Sequence, residues 1–290
     1  MNQLNLFAEL TRLKKPIGYM LLFWPCSWGL TVAYDFSSDL NVYFFYLLLF
    51  FLGAVLMRSA GCIVNDLIDT DIDKKVIRTK GRALASSKIS IKNALILLLA
   101  LLVIGFLILI QLNFEAIILG IVITPLIALY PLAKRFFILP QFILALTYNW
   151  GCFIGWAAIG SNIPFSSICI LYTSLIFWTL TYDTIYATQD ENEDKDLNLY
   201  SSTLLFGSKK VIILNIMIIT KYFLIILYGT SLDFGILFKI LIITIFIINL
   251  IDINFIWKNK PEKASSYFSR NNYYGISLLF SIIMGSHYNV

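Results

Sequence analysis

Apolar residues in this chain come in long, unbroken runs with charged and turn residues gathered between them, not in strict alternation with polar ones. Nine such runs stand out, at roughly 16–34, 40–64, 93–111, 114–133, 137–159, 163–184, 211–230, 234–257 and 273–288. A membrane-spanning helix needs about 20 mainly apolar residues. In lipid every backbone polar group must be satisfied internally, and runs this long without alternation do not suit barrel strands. The pattern therefore predicts an all-α, polytopic membrane protein with nine transmembrane helices. Nine spans use up 290 residues, so residues 1–290 read as a single integral-membrane domain with no separate soluble part. The first run follows Arg12, Lys14 and Lys15 as a signal peptide's would, but it has no small-x-small cleavage site, and it reads as an uncleaved helix.

Composition removes several function classes. Hydrophobic residues make up 59% and charged residues 13%, against about 45–50% and about 25% in soluble domains. The net charge of +5 is small and scattered through short loops, which argues against nucleic acid as a partner. The four cysteines lie in apolar runs without a CxxC pair, and His287 is the only histidine, so a zinc site, haem site or disulfide framework is not expected.

Charge also sets the orientation. Nineteen of the 22 Lys and Arg residues fall before the first run or in alternate loops, and the opposite loops, such as 35–39 and 160–163, have none. The positive-inside rule places those nineteen, and with them the two long loops 65–92 and 185–210, in the cytoplasm. An integral membrane protein follows, with the carboxylate-rich loops facing the cytoplasm. The three remaining cations, Arg58, Lys221 and Lys239, fall within spans. Lys221 and Lys239 read as snorkelling or paired.

Two carboxylate clusters sit at helix ends on this side. The first reads Asn65-Asp66-Leu67-Ile68-Asp69-Thr70-Asp71-Ile72-Asp73. If the second helix continues through it, Arg58, Asn65, Asp69 and Asp73 share one face, while Asp66 and Asp71 point elsewhere. The second cluster, Asp183, Asp190 and Asp194, has spacings of seven and four. Facing carboxylates repel unless a cation lies between them. Mg2+, a hard ion that takes a few carboxylates and also binds diphosphate oxygens, suits such a place. Arg78, Lys80 and Arg82 follow the first cluster, Lys134 and Arg135 lie in another loop on the same side, and all five suit the anion. An EF-hand at Asp69–Lys80 is ruled out by Lys74 at its sixth position and Lys80 at its twelfth. Solvated loop acids are the plainer alternative for either cluster alone. Arg58, about two turns inside the membrane, needs an anionic partner, either a structural carboxylate such as Asp69 or a bound anion.

At these residues the chain resembles the UbiA superfamily of intramembrane prenyltransferases, and most closely the bacterial 4-hydroxybenzoate branch. The resemblance is carried by Lys15-Pro16-Ile17-Gly18, Leu21-Leu22-Phe23-Trp24-Pro25, Met57-Arg58-Ser59-Ala60-Gly61-Cys62, and the NDxxDxxxD pattern at Asn65, Asp66, Asp69 and Asp73, then Arg78-Thr79. It continues in Tyr130-Pro131, Lys134-Arg135-Phe136, Leu139-Pro140-Gln141, Asn149-Trp150-Gly151, and Tyr182-Asp183-Thr184-Ile185-Tyr186-Ala187 with Asp190, Asp194 and Phe206-Gly207. Two departures stand out: Arg82-Ala83-Leu84 where the branch has Arg-Pro-Leu, and Tyr200 where a lysine often precedes the Ser-Thr pair.

The resemblance implies a helical bundle around a central cavity open to lipid, in a membrane of the bacterial inner type. It implies transfer of a polyprenyl group from polyprenyl diphosphate to the ring carbon ortho to the hydroxyl of 4-hydroxybenzoate, as in ubiquinone biosynthesis, with Mg2+ as cofactor. Catalysis would fall to Asp69, Asp73, Asp183, Asp190 and Asp194. Metal would be held by Asn65, Asp69, Asp73, Asp190 and Asp194, and substrates by Arg58, Arg78, Arg82, Tyr130, Lys134, Arg135, Asn149 and Tyr186. A family relative with another aromatic acceptor is the near alternative, and a membrane transporter the distant one. Transporters tend to place coupling charges near the midplane rather than at helix ends.

Overall fold

A computed structural model describes residues 3–76, 79–258 and 261–287. Among them the chain is all-helical. A short α1 (Gln3–Leu10) precedes α2 (Pro16–Ala33) and α3 (Leu40–Ile68), and one further turn, α4 (Thr70–Asp73), follows directly. Next come α5 (Ile91–Leu109) and a broken rod of α6 (Phe114–Val122), α7 (Thr124–Leu129) and α8 (Ala133–Phe136). A second broken rod, α9 (Pro140–Asn149) and α10 (Gly151–Ala157), leads to α11 (Phe165–Ala187). Short α12 (Glu191–Asp196) and α13 (Ser202–Phe206) occupy the next loop, followed by α14 (Lys210–Ser231), α15 (Ile236–Ile251) and α16 (Ala264–His287).

Six helical stretches among the described residues are long and apolar enough to cross a membrane: Leu40–Ile68, Ile91–Leu109, Phe114–Phe136, Phe165–Ala187, Ser202–Ser231 and Ile236–Phe255. The protein is an integral membrane protein. The other three expected spans are helical too, as α2, α9 with α10, and α16, but fall short by that measure, so length and hydropathy do not reproduce a count of nine. The reason is local. α16 opens nine residues before the apolar run at 273, on the polar stretch Ala-Ser-Ser-Tyr-Phe-Ser-Arg-Asn-Asn. Those polar groups are spent inside the bundle, with Asn271 and Asn272 accepting the indole N–H groups of Trp178 (2.8 Å) and Trp24 (3.0 Å).

Packing closes the helices into a ring, with α3 against α5, α6 against α10, α9 against α11, α11 against α14, α14 against α15, α15 against α16, and α16 against α2, which returns to α3. The approach of α2 to α10 is close enough to require glycine. A Cβ on Gly29 would lie 2.0 Å from the Cys152 carbonyl oxygen, and one on Gly155 would lie 2.1 Å from that of Cys26. The outward faces stay apolar, as with Leu95, Ile96, Leu99 and Val103 on α5, which suits contact with lipid tails. Lys221 departs from the snorkelling expectation. It is only 3% exposed, with Nζ 3.9 Å from the Tyr222 ring centroid and no ion pair among the described residues.

The fourth rod is irregular for a reason that positions the site. Pro125 and Pro131 lack the N–H that would continue the helix, and the rod passes through a 3-10 turn at Tyr130–Leu132 before α8. That turn sets Tyr130 and Lys134 against the ends of α3 and α11.

Candidate active site

The two aspartate clusters arrive from opposite sides. α3 ends at Ile68, and Asp69 (φ −95°, ψ 6°) breaks ideal helix geometry. Backbone bonds from Asp69 to Asn65 (2.9 Å) and from Asp73 to Asp69 (2.8 Å) nonetheless keep the turns in step. Asn65, Asp69 and Asp73 therefore face one cavity of about 240 Å³. Asp183 enters it from α11. Asp190 (φ −107°, ψ 6°) caps α12, so Asp190 and Asp194 reach the same cavity from a separate helix rather than along one continuous face.

Cations hold the carboxylates of the first cluster. Lys134 Nζ donates to Asp69 at 2.6 Å and Arg135 at 3.3 Å; Arg82 donates to Asp73 at 2.7 Å and to Asp66 at 3.3 Å. Asp66, 3% exposed, also takes Arg12 at 2.5 Å, whereas Asp71 is exposed beside Lys74. Both thus point away from the shared face, as the spacing predicts.

A deeper cavity of about 860 Å³ adjoins the first, and Arg12, Asn65, Arg82, Tyr130, Asp183 and Tyr186 line both. Its far part is bounded by Arg58, Tyr148, Tyr182, Leu144, Leu21 and Gly18. Arg58 has no carboxylate partner among the described residues, because Asp69 is taken by Lys134 and Arg135. Its Nε is buried without a hydrogen-bond partner, and its Cζ stands 5.9 Å from the Tyr148 ring centroid. A structural salt bridge to Asp69 is therefore not what the fold provides. A buried guanidinium at the end of a cavity, with no ion pair among the described residues, is an arrangement that an anionic ligand would satisfy.

Of the expected site residues, the structure brings Asn65, Asp69, Asp73, Arg82, Tyr130, Lys134, Asp183, Tyr186, Asp190 and Asp194 to the smaller cavity and Arg58 to the larger. Two lie apart from both linings. Arg135 binds the Ile68 carbonyl (2.9 Å) and Asp69 from the rim. Asn149 is buried between α9 and α11, where its Nδ2 donates to the Leu175 carbonyl and to Thr179 while its Oδ1 has no hydrogen-bond partner among the described residues. Arg78 lies outside the described residues.

Arg12 is the residue the charge pattern hid. It counts in the sequence as one more topology charge, but it adopts φ +54° at the end of α1. For a residue other than glycine this left-handed conformation costs about 1–2 kcal/mol, and it turns the guanidinium onto Asp66 while Arg12 lines both cavities. Tyr148 stands in no motif, and Tyr182 and Gln141 stand in motifs with no role assigned to them, since aromatic and polar residues within apolar runs give no signal of which way they face; Glu193 is one more acid in a charged loop.

The profile of the UbiA prenyltransferase family matches residues 22–278. The chain belongs to that family. This UbiA-family chain is 44% identical, over 203 residues, to a mitochondrial 4-hydroxybenzoate polyprenyltransferase of Drosophila pseudoobscura pseudoobscura. That match covers 69% of the chain but only 50% of the fly protein, so the chain spans about half of that relative's length. It is 40% identical to the 4-hydroxybenzoate octaprenyltransferase of Francisella tularensis subsp. novicida (strain U112), over 233 residues and 80% of each protein. The structure of a UbiA homolog from Archaeoglobus fulgidus bound to GPP and Mg2+ superposes with a TM-score of 0.73 at 18% identity, covering 96% of this chain and 99% of that one, and it shares the fold.

Proposed function

We propose that the chain, as one domain over residues 1–290, transfers a polyprenyl group from its diphosphate to the ring carbon ortho to the hydroxyl of 4-hydroxybenzoate. The reading places it in a membrane of the bacterial inner type with the aspartate clusters facing the cytoplasm. The names of the fly and Francisella relatives support it. The observation that carries it is the unpaired Arg58 at the far part of a cavity whose mouth is lined with carboxylates and cations. An aromatic carboxylate held there by two parallel guanidinium hydrogen bonds would lie with its ring toward Asp183, among Tyr130, Tyr148 and Tyr182.

The donor set at the mouth fits a hard divalent ion, being all oxygen: Asn65, Asp69 and Asp73 on one wall, Asp190 and Asp194 on the other. No three carboxylates among the described residues already converge on one point. Asp69 and Asp73 are instead turned onto Lys134 and Arg82. Bound Mg2+ would neutralise the charge that develops on the departing diphosphate. Lys134, Arg82 and Arg12 would exchange their carboxylates for phosphate oxygens and stabilise the same charge. The prenyl C1–O bond breaks with its electron pair leaving on the diphosphate, the ring carbon bonds to C1, and the ring carbon then loses its proton. Asp183, which lines both cavities, is placed to take that proton, and the tyrosine faces shelter the allylic cation.

The test is to incubate membranes containing the protein with Mg2+, 4-hydroxybenzoate and labelled prenyl diphosphates, and to identify the product by mass. A prenylated 4-hydroxybenzoate is expected. Prenylation of a naphthoate or homogentisate in preference to it, or full activity in EDTA, would overturn the reading.

A further inference from the structure

We propose that Gln141 contacts the diphosphate directly: its carboxamide oxygen pins the loop after the second aspartate cluster, and its NH2 group donates into the 240 Å³ cavity. The inference rests on the diphosphate reading above. Gln141, the second residue of α9, is 8% exposed and lines that cavity. The Ser202 backbone N–H is 3.0 Å from its Oε1. Oxygen and nitrogen of a carboxamide are ordinarily interchangeable, but a backbone N–H can only donate, so the atom facing Ser202 must be the oxygen. The nitrogen is thereby turned away from the loop, and no acceptor among the described residues takes its hydrogen bonds.

Ser202 gives the carboxamide a firm reference. Its hydroxyl lies 2.8 Å from that of Thr184 on α11, and two residues earlier the Tyr200 N–H donates to the Lys134 carbonyl at 2.9 Å. The loop that follows Asp190 and Asp194 is thus fastened to α8 and α9, with Gln141 as one fastener. A group that can only donate, set in a cavity, is satisfied by an acceptor, and the acceptor that this cavity's cations favour is a phosphate oxygen. The cations here are engaged with carboxylates, Lys134 with Asp69 and Arg82 with Asp73, whereas the Gln141 NH2 group is uncommitted and neutral. It adds a bond to the anion without drawing an aspartate away from metal.

Two variants separate the fastening from the contact. Gln141→Glu keeps an oxygen for the Ser202 N–H and replaces the donor with an oxygen; Gln141→Met removes both. Calorimetric titration of the purified protein with inorganic pyrophosphate and Mg2+ reads affinity, and thermal unfolding reads the fold. A hydrogen bond to a charged group is worth about tenfold to a hundredfold in affinity. The expected result is that loss in both variants, with the melting temperature of Gln141→Glu near wild type and that of Gln141→Met lowered. Gln141→Glu binding as tightly as wild type overturns the contact while leaving the diphosphate reading intact. Failure of the wild-type protein to bind overturns both.

Discussion

Gly18 on α2 stands against Arg58 on α3 so closely that a Cβ there would lie 2.8 Å from the Arg58 Nε. Nothing but hydrogen at position 18 leaves the guanidinium its present place. Because the clash is with the far end of a flexible side chain, Gly18→Ala should fold and displace the guanidinium by a few tenths of an ångström. The expected outcome is a several-fold rise in KM for 4-hydroxybenzoate with an unchanged KM for prenyl diphosphate. Arg58→Ala should go further, by about 2–4 kcal/mol or about 30- to 1,000-fold. Arg58→Lys should not rescue it, since an ammonium cannot make two parallel bonds. An unchanged KM for the aromatic acid in folded Arg58→Ala protein would remove Arg58 as the anchor.

The 2.6 Å ion pair between Lys134 and Asp69 sets metal and lysine in competition for one carboxylate. Lys134→Met should therefore strengthen Mn2+ binding in the absence of diphosphate while weakening diphosphate binding. Wild-type protein should bind each of metal and diphosphate more tightly when the other is present, by the same factor. Calorimetry or Mn2+ resonance measures both. Asp69→Ala and Asp190→Ala should each lower turnover by orders of magnitude without loss of membrane insertion, seen by activity assay and immunoblot.

Gly29 is a packing prediction with no link to substrate. Its Cβ would lie 2.0 Å from a backbone oxygen of α10, and backbone cannot swing aside as a side chain can. Overpacking of this kind costs about 1–3 kcal/mol. Gly29→Ala should lower the thermal unfolding midpoint in detergent by several degrees, whereas Gly61→Ala, where a Cβ meets nothing within 4 Å, should not.

Orientation is tested by reporters. Fusions in 65–92 and 185–210 should report cytoplasm and fusions in 35–39 and 160–163 the opposite side. The reverse pattern would contradict the charge rule for this chain.

The sequence by itself was enough for the helical class, the places of the apolar rods and the two aspartate clusters. Hydropathy runs, the spacing of Asn65, Asp69 and Asp73, and loop charge are all one-dimensional signals, set by how many residues cross a bilayer and by 3.6 residues per turn. Which cation faces which carboxylate was not legible in that way. Arg12 and Lys134 look alike as loop charges, yet a positive φ turns one onto Asp66 and a proline-broken rod delivers the other to Asp69. Asn149 and Gln141 look alike as amides within an apolar segment, eight residues apart on α9. The fold spends the first between helices and sets the second at the cavity, because direction around a helix has meaning only once its neighbours are in place. Arg58 could be seen from the sequence to need an anion. Only the packing of Gly18, Tyr148 and the Lys134–Asp69 pair decided that no carboxylate among the described residues forms an ion pair with it.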